Sequence, residues 1–131
     1  MIEDPLAGTT IGRRDGTFVV AEWADEGETS RGRPIAPLHL HHAEDEAWYV
    51  LDGRLGLRVG DEEIEVGPGG CAVVPAGVAH SYWNADQGRT RYLLVMGPRT
   101  ARLVEAIHAL DPFDPARLPG LFERYDSELL S

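Results

Sequence analysis

The chain has 131 residues and a formal net charge of −10, and all twelve of its basic side chains are arginine. A chain of this length usually forms one domain with a core of its own. Its acidic balance, without a basic stripe, argues against nucleic acid and anionic membranes as partners. We expect neither a signal peptide nor a membrane span, because no apolar run approaches the ~20 residues that cross a bilayer.

Cysteine usage points to a reducing compartment. Cys71 is the one cysteine of the sequence, so the chain forms no intrachain disulfide. We therefore expect a cytoplasmic protein. Because Cys71 opens the apolar run Cys-Ala-Val-Val, we expect its side chain to be a buried small hydrophobe.

The first part of the chain is weakly patterned. Residues 1–16 contain one proline and three glycines, which predicts an extended N-terminal arm or an edge strand. Aromatic and β-branched side chains predict a strand over 18–23. Charges, glycines and two prolines make 25–37 a loop.

Short apolar or alternating segments, separated by turn residues, fill the chain from residue 38 to residue 96. Both faces of segment 46–51 are largely apolar, which predicts that both are covered. The regular spacing, without a βαβ rhythm, predicts an all-β antiparallel sandwich or barrel over 17–97. The predicted strands are 38–42, 46–51, 54–59, 63–66, 71–74, 78–84 and 90–96.

The pattern becomes helical in the C-terminal tail, residues 98–131. Leu103, Val104 and Ile107 have helical spacing, with His108 on the polar side, where we expect a surface histidine. Asp-Pro pairs end this first helix and begin a second one. Two interpretations remain open: helices packed on the outside of the β-domain, or a lid over the mouth of a pocket.

Three histidines and one glutamate suggest a metal site. His39 and His41 point to the same face of a strand, because side chains alternate along a strand. Glu46 follows after a four-residue turn, and His80 opens a later strand after a Pro-Ala-Gly turn. A sheet closed into a small barrel can bring these four side chains to one cavity. The neighbouring residues that we expect in the turn, or at its rim, are His42, Glu44 and Asp45.

The same residues carry a resemblance to the cupin family. The first cupin motif reads here as His39-x-His41, four residues, Glu46, six residues and Gly53. One departure lies upstream, where Arg33 occupies the position at which the family pattern has glycine. This first motif contains three of the four candidate ligands.

The second cupin motif lies 15 residues further along the chain. It reads Gly69, five residues, Pro75-x-Gly77, two residues, His80, three residues and Asn84. The sequence thus resembles a small single-domain cupin of the quercetin dioxygenase-like group. The resemblance implies an antiparallel double-stranded β-helix (a jelly roll), followed here by the short α-helical tail.

The ligand set limits the choice of metal. Three neutral imidazoles and one carboxylate suit one divalent transition metal, namely Fe, Mn, Ni, Cu, Co or Zn, better than Mg or Ca. A cavity beside the metal is expected. Its predicted wall residues, which could equally fill the core of a small barrel, are Trp48, Val50, Leu57 and Tyr82.

Three functions fit these features. The first is a mononuclear metal-dependent, dioxygenase-like enzyme acting on a small enol, phenol or keto acid, with Glu46 and Tyr82 as catalytic candidates. The second is a non-catalytic cupin module that binds a small ligand or a metal. The third is a metal-assisted isomerase or cyclase. We also expect a homodimer, because the N-terminal arm has little core of its own.

Overall fold

The computed structural model describes residues 10–12 and 15–130, so that most of the predicted N-terminal arm lies outside the described residues. The described chain forms ten strands, two α-helices and one short 3₁₀ helix. In chain order these are β1 (Thr10–Gly12), β2 (Val19–Asp25), β3 (Ala36–His41), β4 (Glu46–Asp52), β5 (Leu55–Val59), β6 (Glu62–Val66), β7 (Cys71–Val74), β8 (His80–Asn84), β9 (Thr90–Met96), α1 (Pro98–His108), the 3₁₀ helix (Pro115–Arg117), α2 (Leu118–Arg124) and β10 (Ser127–Leu129).

The strands form two five-stranded antiparallel sheets that face each other. The first has the order β1-β2-β9-β4-β7 and the second the order β10-β3-β8-β5-β6. From β3 to β9 the chain passes repeatedly between the two sheets, which is the course of a double-stranded β-helix. The predicted all-β fold is therefore confirmed. All seven predicted strands from 38 to 96 are present, two of them (71–74 and 90–96) with the predicted ends and five with shifted ends.

The core lies between the sheets and follows the alternation of their strands. Trp48 and Val50 on β4, and Leu55 and Leu57 on β5, are completely buried. Register places Trp48 opposite Ala72 of β7 and opposite a leucine of β9, so each inward side chain packs between inward neighbours.

The outer face of the first sheet differs from the expectation. Tyr49 is 41% exposed, so the prediction that both faces of β4 are covered is wrong. Cys71 is exposed, not buried, because Ala72 and Val74 take the inward positions of β7. The C-terminal tail packs at the barrel mouth and against β3 of the second sheet, so among the described residues it does not cover the outer face of the first sheet.

The C-terminal tail contains a strand that the sequence pattern did not predict. After α1, the 3₁₀ helix and α2, the chain returns as β10 and pairs with β3, with Ser127 opposite His41. The second Asp-Pro pair begins a helical segment, as predicted, and Asp114 is the N-cap of the 3₁₀ helix, because its carboxylate accepts from the Ala116 N–H at 3.0 Å. Neither helix of the described residues has the length and apolar character needed to cross a membrane.

Candidate metal centre

The structure brings the four predicted ligands together. One potential ligand atom from each of His39, His41, Glu46 and His80 lies within 4.8 Å of the others, and all four residues are buried. The histidines come from the neighbouring strands β3 and β8, where His39 pairs with His80. Glu46 begins β4 in the opposite sheet, because the turn after β3 carries the chain across the barrel.

Hydrogen bonds orient the three imidazoles. The Nδ1–H groups of His39 and His80 donate to the carbonyl oxygens of Pro37 and Val78, at 2.6 and 2.9 Å. A carbonyl can only accept, so these two Nδ1 atoms carry the proton. The Nε2 atoms of both residues consequently keep a free lone pair for a metal.

His41 is oriented by the C-terminal strand. Its Nδ1 lies 2.7 Å from the Ser127 hydroxyl oxygen, and that hydroxyl donates to the Tyr125 carbonyl at 3.2 Å. Because the hydroxyl proton is used, the Ser127 oxygen accepts from His41 Nδ1–H. The third imidazole thus also turns an unprotonated Nε2 towards Glu46.

The resulting donor set fits a cation. The Nε2 atoms of His41 and His80 lie 3.0 and 3.2 Å from the same Glu46 oxygen, Oε1. In the tautomers set by the outer hydrogen bonds, all three atoms present lone pairs to one another, an arrangement that a cation or a shared proton must bridge. Three nitrogens and one oxygen are a ligand set typical of divalent transition metals.

The protonation states of His39 and Glu46 also favour metal binding. Burial is the largest cause, and the charge of the neighbouring His80 the second, of a pKa of His39 that is lowered to about 4. Burial acts to raise the pKa of Glu46, but hydrogen bonds and positive charge from His41 and His80, which act when their Nε2 atoms are protonated, outweigh it and hold this pKa at about 2. At neutral pH His39 is therefore neutral and Glu46 is anionic, as metal ligation requires.

A cavity of about 390 Å³ opens beside the cluster, and His39, His41 and Glu46 form part of its wall. The rest of the wall is mainly apolar. It comes from the barrel and also from the helical tail, whose lining residues are Thr100, Leu103, Val104, Ile107, His108, Phe113, Leu118 and Phe122. The tail thus covers the mouth of the barrel, which favours the pocket-covering interpretation over packing on the outside.

The predicted wall residues separate into two groups. Tyr82 lines the cavity, as expected. Trp48, Val50 and Leu57 are fully buried and are absent from the cavity wall. They fill the barrel, because an inward position deep in a small barrel is occupied by packed side chains. Trp48 instead packs edge-on against the imidazole of His80 inside the barrel, with the ring centres 5.7 Å apart.

Tyr92 joins Tyr82 at the cavity wall. The two hydroxyl oxygens are 3.3 Å apart, and both side chains are buried. Burial raises the pKa of each hydroxyl above its usual value, and the charge of Glu46 adds to this effect, so both remain neutral. The neighbouring Arg91 points outward from the same strand and lies 3.3 Å from Glu22.

Two further residues had no recognised role in the sequence. The Glu44 carboxylate accepts from the backbone N–H groups of Arg99 and Thr100 at the start of α1, at 3.1 and 2.8 Å. His108 is exposed, as expected, and it also lies at the cavity wall, with its ring 5.3 Å from that of Trp23. Glu44 was expected to be a turn residue, and it also caps the N-terminus of α1.

The remaining turn residues lie outside the cluster. Asp45 accepts from the Ala76 N–H at 2.8 Å and so joins the two motif turns. His42 is exposed, 4.0 Å from Glu128. These placements agree with the expectation that neither residue is a ligand.

Comparison with known proteins identifies the family. The family model of the cupin domain matches residues 28–96, which is more than half of the chain. The chain is a cupin. Over 74 residues it is 36% identical to an uncharacterized protein of Streptomyces coelicolor, covering 56% of this chain and 63% of that protein. Over 84 residues it is 32% identical to quercetin 2,3-dioxygenase of Bacillus subtilis, covering 64% of this chain but 23% of that enzyme.

Solved structures show the same fold. The protein TT1209 of Thermus thermophilus is 29% identical with a TM-score of 0.53, covering 63% of this cupin and 73% of that chain. A sugar phosphate isomerase of the cupin superfamily from Silicibacter pomeroyi is 28% identical with a TM-score of 0.52, covering 63% and 51%. This cupin spans less than two thirds of the length of the curated relatives that it matches.

Proposed function

We propose that this cupin is a mononuclear metal-dependent, dioxygenase-like enzyme acting on a small substrate with an enol, phenol or keto acid oxygen. The observation that carries the proposal is the converging set of three imidazoles and one carboxylate at the wall of an apolar cavity. Similarity to a quercetin 2,3-dioxygenase supports it. A substrate in the cavity lies beside the ligands, not separated from them by protein.

The residues have distinct roles in this proposal. His39, His41, Glu46 and His80 hold one divalent transition metal, which when bound supplies a Lewis acid for a substrate oxygen. Glu46 is also the candidate proton acceptor, because it is anionic and faces the cavity.

The other side chains of the cavity bind and enclose the substrate. Tyr82 is the second catalytic candidate, as a neutral hydroxyl that donates a hydrogen bond to the substrate. Phe122 of α2 packs edge-on against the His39 ring at 5.3 Å, so the tail excludes water from this side of the cluster.

Oxygen uptake tests the proposal directly. The metal-free protein is loaded in turn with Fe, Mn, Co, Ni and Cu, and O₂ consumption is followed with flavonols, catechols and β-diketones. We expect uptake with at least one pair of metal and substrate, and none with His80→Ala. The matched control is His42→Ala, an exposed histidine outside the cluster, which should retain uptake. Metal binding without uptake by any pair would replace the enzyme with a ligand-binding module.

We also propose that two copies associate. The first sheet offers a second copy the edge strand β1 and the exposed Tyr49 and Val73, with the exposed Phe18 just before β2. Light scattering after gel filtration should give twice the 14.4 kDa chain mass. A monomer at micromolar concentration would contradict this part of the proposal.

A further inference from the structure

The cavity combines a wall without arginine with a pair of buried tyrosine hydroxyls. From this combination we infer that its ligand is uncharged beyond the group that meets the metal, and that it presents an acceptor oxygen to Tyr82 and Tyr92. The inference rests on the proposed function and narrows its substrate class. It leaves neutral, mainly apolar compounds and excludes sugar phosphates and keto acids with a free carboxylate remote from the metal.

The charge of the wall carries the first part. All basic side chains of this protein are arginine, and none belongs to the cavity wall of the described residues. The wall instead contains two carboxylates, Glu46 and Asp25. His108 is its one further ionisable base apart from the ligands, and it is exposed.

An anionic group in this cavity would have no buried partner. Arg91, which precedes the lining Tyr92 on β9, points away from the cavity and pairs with Glu22 on the outer face of the sheet. Moving an unpaired charge from water into an apolar wall is strongly unfavourable. A phosphate or a second carboxylate would also meet the negative charge of Asp25. A neutral ligand avoids both penalties.

The hydroxyl pair carries the second part. Tyr82 and Tyr92 hydrogen-bond each other at 3.3 Å, which uses one of their two protons. No other acceptor lies within hydrogen-bond distance of either hydroxyl in the described part of the chain, so one O–H faces the cavity unpaired. An unpaired buried donor is less tolerable than an unused lone pair. The ligand is therefore expected to supply an acceptor.

The spacing sets a minimum size. Tyr82 follows His80 by two residues on the same face of β8, an advance of about 6.6 Å along a strand. A ligand that reaches both the cluster and the hydroxyl pair is thus about as long as one substituted aromatic ring. The cavity of about 390 Å³ holds such a molecule between apolar residues such as Leu94 and Leu103.

Three catechols of nearly equal shape test the inference. 3,4-Dihydroxyacetophenone has a neutral acceptor opposite its chelating oxygens, 4-isopropylcatechol has neither acceptor nor charge, and 3,4-dihydroxybenzoate has a carboxylate. Their dissociation constants are measured by titration calorimetry on the zinc-loaded full chain under nitrogen. Zinc has no redox chemistry, so binding is separated from turnover.

The expected results concern ratios. The benzoate should bind at least about tenfold more weakly than the acetophenone, since it buries an unpaired charge. In the double variant Tyr82→Phe/Tyr92→Phe, the affinity of the acetophenone relative to 4-isopropylcatechol should fall by at least about threefold, the value of a typical neutral hydrogen bond. 4-Isopropylcatechol serves as the control that the double variant still folds and binds.

A gain-of-binding variant separates charge from shape. Ile35 lines the cavity and is partly buried, so Ile35→Arg places a cation at the wall, and Ile35→Gln is the uncharged control. Only the arginine variant should tighten benzoate binding.

Two results together would overturn the inference and leave the proposed function standing, provided that all three catechols bind clearly. In the wild type, the benzoate would bind less than about tenfold more weakly than the acetophenone. In the double variant, the relative affinity of the acetophenone would fall by less than about threefold. No binding of any catechol to the zinc-loaded protein would overturn both the inference and the proposed function.

Discussion

Ser127 lies close to the end of the chain, yet it fixes the orientation of a candidate metal ligand. Its hydroxyl accepts a hydrogen bond from His41 Nδ1–H at 2.7 Å and donates one to the Tyr125 carbonyl at 3.2 Å. Such outer hydrogen bonds hold a ligating imidazole in one tautomer and one position. Ser127 is therefore a positioning residue for the cluster.

Removing that hydroxyl should weaken the metal site. We expect Ser127→Ala to lower zinc affinity by about 10- to 100-fold, the usual effect of losing an outer-shell partner. Competition with a zinc-binding dye measures the change. Ser127→Thr, which restores a hydroxyl, should recover most of the affinity. Ser81→Ala, next to His80 but with its side chain on the opposite face of β8, is the control. Unchanged affinity in Ser127→Ala would show that His41 needs no such support.

The contacts of Asp25 predict that the stability of the protein depends on pH. Its carboxylate accepts from Gly27 N, Glu28 N and Asn84 Nδ2 at 2.9, 3.0 and 3.0 Å. Burial acts to raise the pKa of Asp25, but the hydrogen bonds from Asn84 and the backbone lower it overall. A depressed folded pKa adds stability above the unfolded pKa and loses it as the pH falls.

The comparison with Asp25→Asn isolates this effect. At about pH 7 the wild type should be more stable, by less than about 1 kcal/mol because solvent screens this partly exposed carboxylate, and the difference should shrink as the pH falls towards about 3. Urea unfolding at both pH values gives the two free energies of unfolding. The other titratable groups are the same in both proteins, so their effect largely cancels when the two free energies of unfolding are subtracted. A difference that is constant with pH would show that the Asp25 charge contributes nothing.

At the scale of elements, helix α1 depends on the turn between β3 and β4. Gly97, at the N-cap position, has no side chain to cap the helix. The Glu44 carboxylate does so instead, accepting from Arg99 N, Thr100 N and the Thr100 hydroxyl. A Cβ on Gly97 would clash with this carboxylate, which accounts for glycine there. The turn that follows the ligand His41 therefore also holds the cover of the cavity.

Loss of this cap should loosen α1. We expect Glu44→Ala to reduce the free energy of unfolding by about 1 to 2 kcal/mol, as N-cap losses do. Hydrogen exchange should accelerate in α1 but not in β5 and β8. Glu62→Ala, an exposed glutamate of β6, should change neither quantity. Equal exchange in α1 of both variants would contradict the capping role.

At the scale of the whole molecule, the sequence predicted the barrel well because its signals are local. Alternation, turn residues and the spacing of the ligands act within a few residues of each other. His39, His41 and Glu46 could be chosen on that basis, and His80 through the separate turn and motif that contain it. The pattern cannot distinguish an inward side chain that fills the core, such as Trp48, from one that lines a cavity.

Contacts between distant parts of the chain were beyond the sequence. Ser127 acts on a residue 86 positions away, and Glu44 caps a helix 55 positions away. β10 has three residues, too few for an alternating pattern to identify. The change from an alternating to a helical pattern at residue 98 also suggested that the tail is independent of the barrel. In the structure it supplies a strand, part of the cavity wall and a hydrogen bond to the cluster.

The central claim is that the four buried side chains bind one metal ion. Titration of Co²⁺ into the metal-free protein, followed by its visible absorption, measures both the stoichiometry and the nature of the ligands. We predict saturation at one equivalent per chain, loss of binding in His41→Ala and His80→Ala, and unchanged binding in His42→Ala and His108→Ala. Binding that survives in His41→Ala and His80→Ala, or no binding by the intact protein, would contradict the claim.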